Sequence, residues 1–303
     1  MATREHLARA LWTLFEPIHA ITYFSEQSRD ALAAIGLQRY WDGYFAGRSA
    51  PVGALAGPPV IAMFSGFAPF LVNRALPAAW SIVTPAQAIE ARYVGAAATL
   101  RALVPDERMV EEAAAALTPL ALNLDTIGRP LAAGFAALPL EDDPYRRLWQ
   151  VAGTLREHRG DGHVVALVSL GIAGLTTLVL RAGVDLDATS MKRARGWTDE
   201  EWDSEAARLV ERGLLGSDHR IAPAGADLLN QAEELTNRLA TGPLKNLDDA
   251  ALLEVARRLA PVARAVTSLL PQPNPIGMPE SWDPVSDPEA ELIAASPAGP
   301  RAA

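Results

Sequence analysis

The sequence predicts a mainly α-helical protein, in which an N-terminal helical domain precedes a winged-helix domain with a small β-hairpin wing. Half of the 303 residues are apolar and 21% are charged, which suffices for a substantial buried core. Helix starts recur along the chain, and the clearest is Thr84-Pro85-Ala86-Gln87, a capping box with proline at the first helical position. After residue 160 the predicted order is long helix, short helix, turn, helix, two strands and helix, which is typical of a winged helix.

Composition and element order divide the chain into four regions. Residues 1–145 are expected to form the N-terminal helical domain and residues 146–245 the winged-helix domain, with its wing at residues 214–221. Residues 246–270 are predicted as a C-terminal helix. Residues 271–303 contain eight of the 23 prolines, and we expect them to form an extended tail.

The start of the winged-helix domain depends on two predicted helices that meet at a glycine. The first begins at Asp142-Asp143-Pro144 and ends near Gly160, and the second covers residues 161–182. Residues 164–180 are 17 uncharged residues in a row, at the short limit for a membrane span. Charges at both ends and the soluble composition favour the central helix of a globular core instead, and we expect no membrane association.

Composition also excludes several classes of function. The chain has no cysteine, which rules out a disulfide scaffold, a thiolate zinc site, an iron–sulfur cluster and a cysteine nucleophile. The net charge of −9 argues against tight non-specific binding to nucleic acid. No phosphate loop, dinucleotide fingerprint or nucleophile elbow is present. The N-terminus lacks a basic and then apolar signal region, so a cytoplasmic protein is expected.

Four phrases of the sequence carry a resemblance: LWTLFEPIHAITYFS at 11–25, GLQRYWDGYFAGRSAPVG at 36–53, LREHRGDGHVVALV at 155–168 and RGWTDEEW at 195–202. They resemble, in the same order, an actinobacterial helix-turn-helix-like family, and the similarity covers roughly residues 5–245. The resemblance implies a winged-helix fold related to MarR-type regulators. It implies no activity, cofactor or catalytic residue.

A DNA-binding winged helix would place the helix after its turn, residues 198–213, in the major groove. This helix begins at the capping box Thr198-Asp199-Glu200-Glu201 and has six carboxylates against two arginines, a net charge of −4. The adjacent Lys192, Arg193 and Arg195 form a compact basic cluster that could contact phosphates or simply face solvent. The charge balance favours solvent, and therefore disfavours DNA as a partner.

The first candidate site is Glu16, His19 and Tyr23, whose side chains share one face if the segment is helical. The Glu-x-x-His spacing is used for metal ligands in helical bundles, and a carboxylate beside an imidazole also suits a general base. Pro17 within the motif is expected to break or kink the helix. A buried histidine satisfied by one carboxylate is the alternative, which we favour over a metal site.

The second candidate site lies at the predicted helix junction, residues 156–163, and includes His158, Arg159, Asp161 and His163. Asp161 would cap the apolar helix, and the dipole at its first turn would keep His163 neutral. Backbone N–H groups at such a junction can hold an anion. The alternative is a purely structural lock made of caps and Arg–Asp pairs.

The third candidate site is an aromatic stripe. At helical spacing Tyr40, Tyr44 and Arg48 share one face, with Trp41 and Phe45 on the next. Such stripes belong more often to a core than to a pocket, although the hydroxyls and the arginine could line a ligand cleft.

Together these features predict a small-molecule-binding protein on a winged-helix scaffold, with a pocket between the N-terminal helices and residues 156–163. Two alternatives stay open: a MarR-type DNA-binding regulator, and a His/Glu-based enzyme using His19, His163 or Glu16, with or without a metal. The sequence indicates no particular cofactor. Any oligomer is expected to be a homodimer formed through long flanking helices such as residues 248–270.

Overall fold

The computed structural model describes residues 3–271 and 277–287. The N-terminal half contains α1 (Arg4–Phe24), α2 (Glu26–Ala34), α3 (Tyr40–Ser49), α4 (Gly57–Phe64), α5 (Pro69–Ala75), α6 (Pro85–Leu103), α7 (Glu107–Leu122) and α8 (Pro130–Ala136). The C-terminal half contains α9 (Pro144–Ser169), α10 (Leu175–Ala182), α11 (Ala188–Arg195), α12 (Asp199–Glu211), α13 (Pro223–Leu239) and α14 (Asp249–Thr267). The prediction of a mainly α-helical protein is confirmed.

Helix α9 is the centre of the molecule. It packs against α1, α6, α7, α8 and α13, and its Trp149 is among the largest fully buried side chains. Apolar side chains of α1, α6, α7, α9 and α14 form the main core. A second core lies among α3, α4, α5 and their connections, and a third among α10 to α13. Each helix therefore buries an apolar face against neighbours, as the helical spacing of apolar residues requires.

Local sequence signals place several helix ends correctly. Both predicted capping boxes form, Thr84 with Gln87 at the start of α6 and Thr198 with Glu201 at the start of α12. The expected break at Pro17 is wrong, because α1 continues through it to Phe24. Proline removes one N–H from the helix, and burial of almost the whole of this segment offsets that loss.

The predicted helix junction at Gly160 is also wrong. Helix α9 runs without interruption from Pro144 to Ser169, and the chain turns only at Gly171 and Gly174, both at positive φ. A glycine within a helix costs about 1 kcal/mol relative to alanine, which burial on several sides of α9 readily outweighs. The apolar run is thereby divided between α9 and α10. None of the helices in the described residues is both long and apolar enough to cross a bilayer.

The β-hairpin wing is not formed. A single antiparallel bridge joins Leu215 and Ile221, and the described residues contain no strand. The N–H of Ala222 donates to the carbonyl of Leu214 at 3.1 Å, but the N–H of Leu214 donates to the carbonyl of Leu209 at 2.9 Å rather than back to Ala222, so the ladder does not extend. The prediction of a winged helix with a β-hairpin is therefore wrong, and its helical elements alone are observed.

Helices α11 and α12 are joined by a three-residue turn that begins with Gly196 in the left-handed conformation, with φ of 80°. This turn packs against the connection between α4 and α5. The N–H of Ala68 donates to the carbonyl of Arg195 at 2.9 Å, and the indole N–H of Trp197 donates to the carbonyl of Gly66 at 3.0 Å. The helix–turn–helix unit is thus fastened to the N-terminal helices.

The described part of the tail, residues 277–287, lies against the helical body. Met278 is buried beside Tyr23 and Leu270, and the backbone N–H of Trp282 donates to Thr13 Oγ1 at 2.8 Å. The rest of the predicted tail, residues 272–276 and 288–303, lies outside the described residues.

Candidate functional site

A cavity of about 380 Å³ lies between α1, α3, α4, α9, α10 and α11. This volume falls within the range of roughly 300–1,000 Å³ found for small-molecule sites. Its wall combines aromatic, aliphatic and arginine side chains, among them Tyr23, Tyr40, Trp41, Tyr44, Arg48, Phe64, Phe67, Arg156, His163, Val164, Leu167, Leu178 and Arg195.

The cavity brings together half of the predicted site residues. Tyr23, Tyr40, Tyr44, Arg48 and His163 line it, so parts of all three candidate sites meet there. The other five candidates do not line it: Glu16, His19, His158, Arg159 and Asp161. The continuous course of α9 explains the division, because positions 156, 160, 163, 164 and 167 share one face of a helix and 158, 159 and 161 do not.

The aromatic wall of the cavity is built from α1, α3, the end of α4 and the connection between α4 and α5. It comprises Tyr23, Tyr40, Trp41, Tyr44, Phe64 and Phe67. Ring centroids of Tyr44 lie 5.1 Å from Tyr23 and 5.3 Å from Phe67, and those of Trp41 and Phe67 are 5.6 Å apart. The Tyr40 hydroxyl donates to the carbonyl of Tyr23 at 3.3 Å, and burial raises the pKa of Tyr40. These contacts hold the rings at separations typical of aromatic packing and leave their other faces toward the cavity.

Behind this wall lies a buried network of ion pairs. Arg48 donates from Nε and Nη2 to the two oxygens of Glu157, each at 2.9 Å. Arg156 donates from Nη1 to Glu157 at 2.9 Å and from Nε to Glu16 at 3.2 Å. The two guanidinium groups hold the pKa of the Glu157 carboxyl well below its usual range, despite full burial. Arg48 and Arg156 line the cavity, whereas Glu16 and Glu157 do not, so the network contributes positive charge to the cavity wall.

Arg195 brings a third guanidinium to the cavity. Its Cζ lies 4.5 Å from the ring centroid of Phe67, a cation–π geometry. The predicted basic cluster on α11 is therefore divided: Arg195 faces inward, Lys192 forms an ion pair with Asp199, and Arg193 is exposed.

His163 is the histidine of the cavity wall. Its Nδ1 lies 2.9 Å from Thr236 Oγ1, and the Thr236 hydroxyl itself donates to the carbonyl of Ala232 at 2.6 Å. Nδ1 therefore carries the proton and Nε2 is the acceptor. Burial lowers the pKa of His163 to about 4, so the ring is neutral near pH 7. The predicted cause, a helix N-terminus, is wrong because His163 lies within α9; desolvation produces the shift.

Glu16 and His19 are structural neighbours of the cavity. His19 is fully buried, stacks on Trp149 at 5.2 Å, and its Nε2 lies 3.2 Å from the Tyr23 hydroxyl and 3.5 Å from Arg92 Nη2. Burial and Arg92 lower the pKa of His19 well below its ordinary value. In the described residues no three His, Asp or Glu side chains converge as metal ligands would. Of the catalytic candidates, only His163 faces the cavity.

Asp161, His158 and Arg159 occupy other faces of α9. Asp161 accepts a hydrogen bond from the N–H of Ala132 at 3.0 Å and so caps α8. The prediction that it caps the apolar helix beginning at residue 161 is therefore wrong. Burial raises the pKa of Asp161 to about 6. Burial lowers the pKa of His158 to about 4. Arg159 pairs with Glu233 at 2.7 Å. These residues connect α9 to α8 and α13.

Phe64, Phe67 and Leu178 line the cavity but belong to none of the three predicted sites, and Arg195 is predicted only as a possible phosphate contact. The i, i+4, i+7, i+8 and i+11 spacing from Arg156 through Gly160 to Leu167 could have indicated one face of a single helix. Nothing local indicates that the loop holding Phe67 meets α11.

The model of the helix-turn-helix family matches residues 8–271, which include every residue of the cavity wall. The chain belongs to the helix-turn-helix family. No curated protein and no solved structure matches it. The relation to MarR-type regulators and the actinobacterial origin implied by the resemblance stay predictions. In this chain the order helix, turn, helix is found in α11, the three-residue turn after it, and α12.

Proposed function

We propose that this helix-turn-helix protein binds a small, largely hydrophobic molecule in the cavity between the N-terminal helices and α9 to α11. The observation that carries the proposal is Gly160 of α9. This glycine borders the cavity, and no neighbouring side chain is close enough to require a glycine there. A ligand there would contact α10 and α11 through Leu178 and Arg195 as well as the aromatic wall.

The glycines of α9 have different reasons to be glycine. A Cβ at Gly153 would lie 2.7 Å from His19 Nδ1, and one at Gly162 would lie 2.6 Å from Arg129 Nη1, so an added methyl group would displace a neighbouring side chain at either position. A Cβ at Gly160 meets nothing closer than 3.8 Å, and its backbone is helical. Glycine costs a helix about 1 kcal/mol relative to alanine. This cost has no packing explanation at position 160, whereas an open cavity explains it.

Gly160 variants test the proposal. We expect Gly160→Ala to raise the unfolding free energy by about 0.5–1 kcal/mol, because helix propensity improves without a clash. We expect Gly160→Leu to fill the cavity and weaken binding of the neutral fluorescent probe N-phenylnaphthylamine at least about tenfold, without lowering the melting temperature. Titration by fluorescence and thermal unfolding measure the two effects.

Val165→Leu is the matched control, because Val165 lies on the exposed side of the same helix. It should leave probe binding unchanged. Absence of saturable probe binding by the wild-type chain, or equal binding by the Gly160→Leu variant, would contradict the proposal.

DNA binding is the second candidate function, favoured by the family match. The exposed side of α12 opposes it, since Asp199, Glu200, Glu201 and Asp203 are exposed in its first turns. Lys192 is paired with Asp199, and Arg195 faces the cavity. These carboxylates would approach phosphates and be repelled.

We therefore expect no salt-sensitive binding to labelled duplex DNA, measured by fluorescence anisotropy at low and physiological salt. The double variant Lys192→Gln with Arg193→Gln should behave like the wild type. Duplex binding that weakens with salt and is lost in this variant would make DNA binding the better account.

A further inference from the structure

We infer that the cavity takes an aromatic monocarboxylate, whose carboxylate binds at Arg156 and whose ring system lies along the aromatic wall. The inference rests on the proposed function and names the class of ligand. It depends on three independent features of the wall: its charge, an available donor and its shape.

The charge of the wall is opposite to that of the chain. The sequence has 36 acidic and 27 basic residues, yet the described residues of the wall include three arginines and no aspartate or glutamate. A concave surface of one sign, bounded by apolar walls, concentrates the field on a ligand of the opposite sign. An anion is therefore the favoured occupant, and a cation is disfavoured.

Arg156 supplies the donor. Its Nε and Nη1 are used by Glu16 and Glu157, while Nη2 makes no hydrogen bond to any described residue. The side chain keeps 14% of its surface exposed, and it lines the cavity. The two carboxylates fix the guanidinium plane, so Nη2 is held in place before a ligand arrives. A pre-oriented arginine N–H binds a carboxylate through a short, charge-assisted hydrogen bond.

The shape of the wall specifies the remainder of the ligand. The rings of Trp41, Tyr44, Phe64 and Phe67 form one side, and the aliphatic side chains of α9 and α10 face them: Val164, Leu167 and Leu178. A planar ring system can lie between such surfaces and bury both faces. Nη2 of Arg156 supplies one oriented donor for a carboxylate, and neutral His163 adds no positive charge near pH 7, so one carboxylate rather than two suits the site.

Isothermal titration of the full chain with naphthoate and with naphthamide, which share a shape and differ in charge, tests the inference. We expect the wild type to bind naphthoate at least about tenfold more tightly than naphthamide. Arg156→Lys keeps a positive charge near Glu16 and Glu157 but removes the guanidinium fork, and it should reduce the preference to threefold or less. Arg193→Gln, exposed on α11, is the control and should retain the full preference.

The outcomes separate the two proposals. Equal affinity for the acid and the amide, with both displacing N-phenylnaphthylamine, would overturn the inference and leave the binding cavity standing. Failure of the probe itself to bind would contradict the proposed function. If Arg156→Lys does not fold by circular dichroism, the double variant Arg156→Gln with Glu16→Gln replaces it, since it removes one cation with one anion and keeps the Arg48–Glu157 pair. An undiminished preference for naphthoate in that variant would overturn the inference.

Discussion

Replacing Glu157 by glutamine is expected to lower the free energy of unfolding by about 3–5 kcal/mol. The Glu157 carboxylate is fully buried and accepts three hydrogen bonds, two from Arg48 and one from Arg156. An amide removes the negative charge and turns an N–H₂ group toward two guanidiniums. Of the described carboxylates, Glu16 alone would then remain paired with either of the two buried cations. Urea denaturation followed by circular dichroism measures the loss.

A double variant tests whether the loss arises from the stranded charge. Arg48→Met with Glu157→Gln removes one cation together with the anion, so its loss should be smaller than the sum of the two single losses by at least about 1 kcal/mol. Glu254→Gln, which breaks an exposed ion pair with Arg258, serves as the surface control and should change stability little. Additive losses in the double variant would show that Glu157 acts through shape rather than charge.

The Arg48–Glu157 pair also marks the limit of sequence analysis for this site. Helical spacing alone grouped Tyr40, Tyr44 and Arg48 correctly on one face, because that face is a property of α3. It could not pair Arg48 with Glu157, since the two residues are 109 positions apart and no local pattern connects them. The grouping of side chains within α3 is therefore predictable from the sequence, and the pairing of α3 with α9 is not.

The errors around α9 have a similar origin. A helix buried on most sides shows no clear polar stripe, so its periodicity is weak and the glycine and aspartate at 160 and 161 outweigh it in the sequence prediction. Glycine and aspartate at a helix interior resemble a stop and a cap. In the structure Gly160 borders the cavity, and Asp161 accepts a hydrogen bond at the N-terminus of α8. Both positions are set by tertiary packing, which the local sequence does not show.

The predicted β-hairpin wing is wrong for a similar reason, because its pairing depends on contacts with other elements. Its turn residues were recognised, and the chain does turn there. The hydrogen bond that would complete the next pair of the hairpin, from the Leu214 N–H to Ala222, is not made, because this N–H donates to Leu209 at the end of α12. Short turn signals therefore predict a reversal of the chain without predicting which backbone groups pair across it.

Lowering the pH from about 7.5 to about 5 is expected to reduce the free energy of unfolding by more than about 2 kcal/mol. Three histidines drive the change: His19 and His158, which are buried, and His163, which is half-buried at the cavity wall. Burial lowers the pKa of His158 and His163 to about 4, and that of His19 well below its ordinary value. In the unfolded chain their pKa is 6.5, so the unfolded state takes up these protons first as the pH falls.

The sign follows from the number of protons bound in each state. Between the folded and unfolded pKa values the unfolded state holds more protons, so stability rises with pH and falls on acidification. His158 and His163 each contribute about 2 kcal/mol to the loss at pH 5, and His19 adds to it in the same direction. Asp161 opposes it, because its folded pKa of about 6 lies above the unfolded value of 3.8 and protonation relieves a buried charge. Protonation of Asp161 in the folded chain therefore raises the free energy of unfolding by about 1.4 kcal/mol over the same pH interval.

His163→Asn isolates one of these groups, since the asparagine amide can still donate to Thr236 while it cannot titrate. The variant should lose about 2 kcal/mol less than the wild type between pH 7.5 and 5, whatever its stability at pH 7.5. His6→Gln, at an exposed position of α1, should retain the wild-type pH dependence. Because the comparison is between two pH values for the same variant, a packing defect cancels. An unchanged pH dependence in His163→Asn would mean that His163 does not keep a lowered pKa in the folded chain, and that the cavity wall gains a positive charge in weak acid.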